Sequence, residues 1–348
     1  MRYRHVCLEG FGYALPAQVV TSAQLEHQLA PVYERLGVHA GRLELMTGIR
    51  ERRFWDVDTL PSDAGALAGR HALAKAGVAA EDIGCLLHTA VSRDFLEPAT
   101  ASIIHDKLEL PPTATVYDIS NACVGFMNGT LALANMIELE QVRCGLIVAG
   151  ESGRSLVEST IKDLCRTQNL SRQQFKNAFA SLTIGSGAAA VVLTHDSVSR
   201  TGHRLLGGAV RSATQHHHLC LGTGDVGFDR EAAMLMNTQA ETLLVNGCAL
   251  AETTWQAARV ELGWTNADVQ RCYCHQVGST HRDKLYAALG LDPALDFSTF
   301  EYLGNVGSAS LPLTMALGLE ERPAAAGERI GMLGIGSGLN CVMLGVRW

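Results

Sequence analysis

Three polar side chains stand where acyl chemistry is possible: Cys123 in YDISNACVGFMNG, His275 closing the run RCYCH, and Asn305 in FEYLGNVGSASLPLTMALG. Cys123 follows the strand-like segment Thr115 to Ile119 and precedes a helix, so its thiol is expected at a helix N-terminus. Backbone N–H groups there stabilise a thiolate, and a shift of about two units below ~8.5 corresponds to roughly 2.7 kcal/mol of differential stabilisation. Such a thiolate attacks thioesters readily. Taken alone, Cys123 also reads as a buried structural cysteine.

His275 falls at the carboxyl end of a strand, where α/β proteins gather reacting groups, although a satisfied core histidine has the same signature. Asn305 lies among small residues and glycines in a tight turn before a helix containing Pro312, a setting that also suits a structural asparagine. Cys272, Cys274 and His275 form C-x-C-H without a second ligand pair at zinc spacing, so no metal is expected. His216, His217 and His218 read as a solvated loop. The run Gly334-Ile335-Gly336-Ser337-Gly338 departs from dinucleotide and phosphate-loop patterns and better suits a backbone oxyanion donor.

The elements that must position these groups alternate. Strand character at Cys85 to Val91, Thr115 to Ile119 and Gly145 to Val148 is interleaved with helices at Thr100 to Leu108 and Gly125 to Glu140. That order predicts parallel strands joined by crossover helices. The pattern resumes with a strand at Ala188 to Leu193, a helical segment from Glu231 to Leu262, a strand at Gln270 to Cys274 and a helix at Thr280 to Leu289. Ile330 to Val346 is uncharged but broken by glycines and Asn340, so it reads as two strands around a turn rather than a membrane span. Between the two α/β halves, Ser152 to Ala180 is polar and helix-prone, an elaboration laid over the scaffold.

Length and composition agree with this picture. The 348 residues suit one large domain or two of ordinary size. With 47% hydrophobic and 18% charged residues, the chain is compact rather than disordered. A net charge of −7 gives no electrostatic reason to bind nucleic acid. Ten cysteines without repeated spacing, and no apolar leader before Glu9, point to a reduced, cytoplasmic setting.

Together, the strand-elbow Cys123, His275-Gln276 and the stretch Gly304-Asn305 to Pro312 resemble the thiolase-fold condensing enzymes, specifically the ketoacyl-ACP synthase III branch. Thr47 to Arg53 (TGIRERR), Ile184 to Leu193 (IGSGAAAVVL) and the terminal GIGSGLNCVMLGVRW match the same branch, so the resemblance spans nearly the whole chain. It implies an α/β thiolase-like fold of two similar mixed α/β halves in a layered αβαβα arrangement. Residues 1–195 would carry the nucleophile Cys123, and residues 196–348 would carry His275 and Asn305.

Within the branch, SRDFLEPATASI around Glu97, together with GIGSGLNC, looks most like the OleA-type enzymes, which join two fatty acyl thioesters head to head. A decarboxylating synthase makes its carbanion by losing carbon dioxide, and a nearby carboxylate would repel its malonyl substrate. A non-decarboxylating enzyme must remove an α-proton itself, and the resemblance assigns that task to Glu97, reaching across a homodimer into the neighbouring site. Without the resemblance, a Glu before Pro98 reads equally as a favourable helix start.

By the same resemblance, Cys123 is acylated while the N–H groups of Cys123 and Ser337 hold its carbonyl oxygen, and His275 and Asn305 stabilise the enolate of the second thioester. The implied substrates are acyl-CoA or acyl carrier protein thioesters, with no metal or redox cofactor. Two departures speak against an acetyl-CoA plus malonyl-ACP reaction. His-Gln-Ala-Asn becomes His275-Gln276-Val277-Gly278, and Arg42 and Met46 replace the aromatic and basic residues expected just before TGIRERR. The competing readings are a synthase III-like ketosynthase in fatty acid or polyketide assembly, including one that joins two carrier-bound β-keto chains, and a non-catalytic partner subunit. The longer Ser152 to Ala180 stretch would suit a covering wall for alkyl chains.

Overall fold

The computed structural model describes residues 1–223 and 235–348. The chain opens with β1 (Val6–Ala14), β2 (Gln18–Thr21), α1 (Ser22–Gln28), α2 (Ala30–Leu36), α3 (Arg42–Thr47), β3 (Glu51–Phe54) and α4 (Pro61–Ala76). The alternating section follows: β4 (Cys85–His88), α5 (Thr100–Lys107), β5 (Thr115–Asp118), α6 (Gly125–Glu138), β6 (Cys144–Glu151), α7 (Arg154–Arg166), α8 (Arg172–Ala178) and β7 (Gly187–His195). The second half holds β8 (Arg204–Ser212), β9 (Cys220–Thr223), β10 (Leu235–Thr238), α9 (Ala240–Leu262), β11 (Arg271–Cys274), α10 (Ser279–Leu289), α11 (Phe300–Leu303), α12 (Ser310–Glu321), β12 (Arg329–Gly336) and β13 (Asn340–Arg347).

Nine strands form one mixed sheet in the order β11-β12-β13-β8-β1-β7-β6-β4-β5. Its two sides meet where Cys7 of β1 pairs with Arg204 of β8, extended by a bridge between Arg2 and Gly207. Strand alternation then decides what lies on each face. Ile147 and Ala149 of β6 and Ala189, Val191 and Leu193 of β7 face α6 and α12, whereas Leu146, Val148, Ala188, Ala190 and Val192 face α4 and α5. On the other side Val342, Leu344 and Val346 of β13 turn towards α6 and α12, while Cys341 and Met343 turn towards α9 and α10. The result is five layers: α4 with α5, five strands, α6 with α12, four strands, and α9 with α10. This is the expected thiolase-like αβαβα arrangement.

One expectation needs correction, the helical segment from Glu231 to Leu262. Residues 235–238 form β10, which pairs antiparallel with β9, and the helix begins only at Ala240. The short run Leu235–Thr238 is compatible with either state, and a partner strand distant in sequence settles it; residues 231–234 lie outside the described part. The expected parallel strands are present, within a sheet that is mixed as a whole. β4 pairs parallel with β5 and β6, but β6 with β7 and β12 with β13 are antiparallel. Ser152 to Ala180 folds as expected into helices, which bury Val157, Ile161, Leu164 and Phe175 against Leu25, Leu29, Val32 and Tyr33 of α1 and α2.

Candidate active site

Cys123 sits on a sharp elbow between β5 and α6. Val124 N donates to Asn121 O (3.1 Å) and Gly125 N to Ala122 O (3.2 Å), closing a tight turn. Ala122 takes a φ of +46°. For a residue with a Cβ that left-handed conformation costs ~1–3 kcal/mol, so its surroundings must hold it. They do so through amides: Asn121 Nδ2 donates to Asn128 Oδ1 (2.8 Å), and Asn340 Nδ2 donates to Asn121 Oδ1 (3.1 Å) and to Ser337 O (3.3 Å). The β12–β13 turn is thereby tied to the elbow. A Cβ at Gly336 would stand 3.3 Å from Cys123 N and 3.2 Å from Val124 N, closer than side chains ordinarily pack. Glycine there lets the end of β12 approach the Cys123 elbow.

Asn305 comes from the connection between α11 and α12. Its backbone is fixed by Asn305 N to Thr183 O (2.9 Å) and Gly185 N to Asn305 O (2.8 Å). Its Oδ1 accepts from Gly307 N (3.0 Å), which leaves the carboxamide NH2 without a partner among the described residues. Three residues on, Ser308 Oγ accepts from Phe126 N (2.8 Å), satisfying one of the open N–H groups in the first turn of α6. The turn bearing Asn305 is therefore bolted to the helix that follows Cys123.

His275 leaves β11 beside β12, with His275 N donating to Leu333 O (3.1 Å). The same β12 ends at Gly336 against Cys123, so His275 and the elbow border one strand, at Leu333 and Gly336 respectively. The ring is buried and its Nδ1 has no hydrogen-bond partner. Burial, assisted by His281, pushes its pKa down to about 3, so it is a neutral donor at physiological pH. Gln276 fixes the opposite wall: its Oε1 accepts from Thr299 N (3.1 Å) and Phe300 N (3.3 Å), ahead of Asn305.

The thiol departs from expectation. Burial first, then the Glu151 carboxylate and Cys220 of β9, push the Cys123 pKa up to about 12, outweighing the backbone N–H that lowers it. Cys123 is therefore a protonated thiol at rest, because a helix N-terminus contributes less than loss of water and a nearby negative charge. Glu97 lies exposed on the loop between β4 and α5 and makes no hydrogen bond or ion pair among the described residues. Within one chain it is not drawn to Cys123. Cys272 and Cys274 are both buried in the core under α9 and α10, and Arg52 of TGIRERR is a buried strut donating to Ser22 Oγ (3.1 Å) and Leu182 O (3.2 Å).

Over its full length the chain is 40% identical to an acyl-CoA:acyl-CoA alkyltransferase of Shewanella oneidensis, covering 100% of both. The chain belongs to the acyl-CoA:acyl-CoA alkyltransferases. As a member of that family it is an acyltransferase of the thiolase superfamily. Its residues 260–348 match the family described as 3-Oxoacyl-[acyl-carrier-protein (ACP)] synthase III C terminal. The fold is similar to OleA of Xanthomonas campestris with bound lauric acid and lauroyl-CoA, with a TM-score of 0.93 at 36% identity, covering 99% of this chain and 100% of that one. A beta-ketoacyl-[acyl-carrier-protein] synthase III of Symbiobacterium thermophilum is more distant, 26% identical over 100% of this chain and 99% of that protein.

In this alkyltransferase, sequence reasoning passed over Glu151, Asn121, Asn340 and Ser308, the polar groups that fasten the site. Asn340 could have been noticed as the amide inside an otherwise apolar strand. Glu151 carried a weaker signal, a lone charge ending the apolar run GLIVAGE.

Proposed function

We propose that this chain joins two fatty acyl-CoA thioesters by non-decarboxylative Claisen condensation, with Cys123, His275, Asn305, Ser337 and the partner's Glu97 in the roles the resemblance assigns. Cys123 Sγ attacks the first thioester carbonyl, the N–H groups of Cys123 and Ser337 hold the oxyanion, and CoA leaves carrying the thiol proton. The second acyl-CoA then loses its α-proton to the partner's Glu97, while the His275 ring and the Asn305 carboxamide donate to the enolate oxygen. The α-carbon attacks the acyl-Cys123, the carbon–sulfur bond breaks, and Glu97 returns its proton to the released sulfur. The product is a 2-alkyl-3-ketoacyl-CoA.

One observation carries this reading: His275 is a neutral donor, and the Asn305 amide, whose NH2 has no partner among the described residues, is fixed on the turn bound to the helix after the half-buried Cys123, and neither is positively charged. Such donors stabilise an enolate without needing a carboxylate to be lost from the substrate. A carboxylate on an exposed loop fits a homodimer whose sites are completed across the interface. The helices α7 and α8 suit a wall for the alkyl chains; α7 also borders a cavity of about 230 Å³ whose lining is mixed, with Val20, Leu25 and Val157 beside Arg154, Glu158 and Lys162. The division at residue 195 would then separate the acylated half from the enolate-binding half, in a cytoplasmic enzyme.

The purified protein should convert a defined acyl-CoA, with no malonyl donor or carrier protein, into condensed β-keto product. Glu97→Ala should lower that product by 10²–10⁴, the usual worth of a general base, while mass spectrometry still finds the acyl group on Cys123. Absolute dependence on a malonyl or carrier-bound donor would instead favour the synthase III-like alternative.

A further inference from the structure

Glu151, the last residue of β6, is a buried carboxylate that the mechanism above does not use. Both of its oxygens are spoken for. Oε1 accepts from Val91 N (2.9 Å) and Ser308 N (2.9 Å), and Oε2 accepts from Ser92 N (3.0 Å) and Ser92 Oγ (2.8 Å). Burying a charge is costly unless it is fully hydrogen-bonded, and here every donor comes from a segment next to a reacting group. Val91 and Ser92 begin the loop that carries Glu97. Ser308 belongs to the turn that carries Asn305, and its hydroxyl holds the first turn of α6 after Cys123.

The packing leaves no slack around this carboxylate. At Gly307, where φ is +54°, a Cβ would come within 2.7 Å of Glu151 Oε1, so the turn lies directly on the carboxylate. Ser92 Oγ also accepts from Ser152 N (2.9 Å), joining the loop to the chain just beyond Glu151. A carboxamide cannot replace this arrangement. One of its two ends is an NH2 and would face backbone N–H groups that need an acceptor.

We propose that Glu151 is a positioning residue for the condensation step: a single buried carboxylate that holds the base of the Glu97 loop and the Asn305 turn against the Cys123 elbow. The proposal rests on the roles given above to Glu97 and Asn305. Its negative charge has a second consequence, since it is one of the groups that hold Cys123 protonated. Among the described residues, the ionisable groups acting on Cys123 are Glu151 from β6 and Cys220 from β9.

These two effects move in opposite directions when the charge is removed, which a merely structural role would not produce. In Glu151→Gln, iodoacetamide alkylation of Cys123 at pH 8, followed by mass spectrometry, should accelerate about three- to tenfold. Loss of the Glu151 charge removes one of the groups that raise the thiol pKa, so more thiolate is present at a given pH, offset in part by the weaker nucleophilicity of a less basic thiolate. Condensation of acyl-CoA should fall by at least about tenfold in the same variant, as expected when donors lose their alignment. Glu151→Asp, which keeps the charge but shortens the reach, should leave alkylation at the unmodified rate and still lose condensation.

Unchanged condensation in folded Glu151→Gln, or alkylation and condensation falling together, overturns the proposal. Should Glu151→Gln fail to fold, Ser92→Ala decides: condensation reduced about threefold or more with unaltered alkylation supports the clamp, and full condensation overturns it. If the unmodified protein makes no condensed product from acyl-CoA alone, the functional reading fails. The positioning proposal is then tested on whichever donor supports turnover, with the alkylation arm unaffected.

Discussion

A thiol pushed up to about 12 and an imidazole pushed down to about 3 leave the reacting atoms of the resting site uncharged. Both shifts arise chiefly from loss of water, and both keep the pocket receptive to an apolar acyl chain. The histidines also make stability depend on acid. His275 and His281 have native pKa values of about 3 and about 4, against 6.5 when unfolded. Below pH 6.5 the unfolded chain therefore binds protons that the native site refuses, and stability is lost as pH falls towards 4. Urea midpoints should drop between pH 7 and pH 4.5, and His281→Asn should flatten that drop. An identical slope in the variant would remove His281 as a contributor.

At the scale of elements, the site depends on two fastenings of different chemistry. The β12–β13 turn reaches the elbow through Asn340 and through the bare backbone of Gly336. Asn340→Ala removes donors to the half-buried acceptors Asn121 Oδ1 and Ser337 O and should cost about 1 kcal/mol of stability, the usual net worth of such hydrogen bonds. Gly336→Val should press a branched side chain on the Cys123 and Val124 amides. Condensation should fall by at least about tenfold while the melting temperature changes by only a few degrees. Retained activity in Gly336→Val would show that close approach of this turn is dispensable.

The whole molecule adds the second copy. If the partner's Glu97 completes each site, a mixture of Cys123→Ala and Glu97→Ala protomers should regain activity that neither has alone. Random exchange makes half of the dimers mixed, each with one complete site, so about a quarter of the unmodified activity is expected. No recovery after demonstrated subunit exchange would place Glu97 outside the neighbouring site. Among the described residues no helix is long and apolar enough to cross a membrane.

Much of this was legible in the chain. The alternation of Leu86, Leu146 and Val148 with Leu87, Ile147 and Ala149 marks strands buried on both faces, because side chains on a strand alternate regardless of what packs on them. The settings of Cys123, His275 and Asn305 were visible because strand ends and glycine-rich turns are local features. The tertiary structure alone decided the rest. The state of Leu235–Thr238 depended on pairing with Cys220–Thr223, and the protonation of Cys123 depended on burial and on Glu151, 28 positions away in sequence. Local geometry is written in neighbouring residues, whereas charge states and shared hydrogen bonds belong to groups that meet only when the layers close.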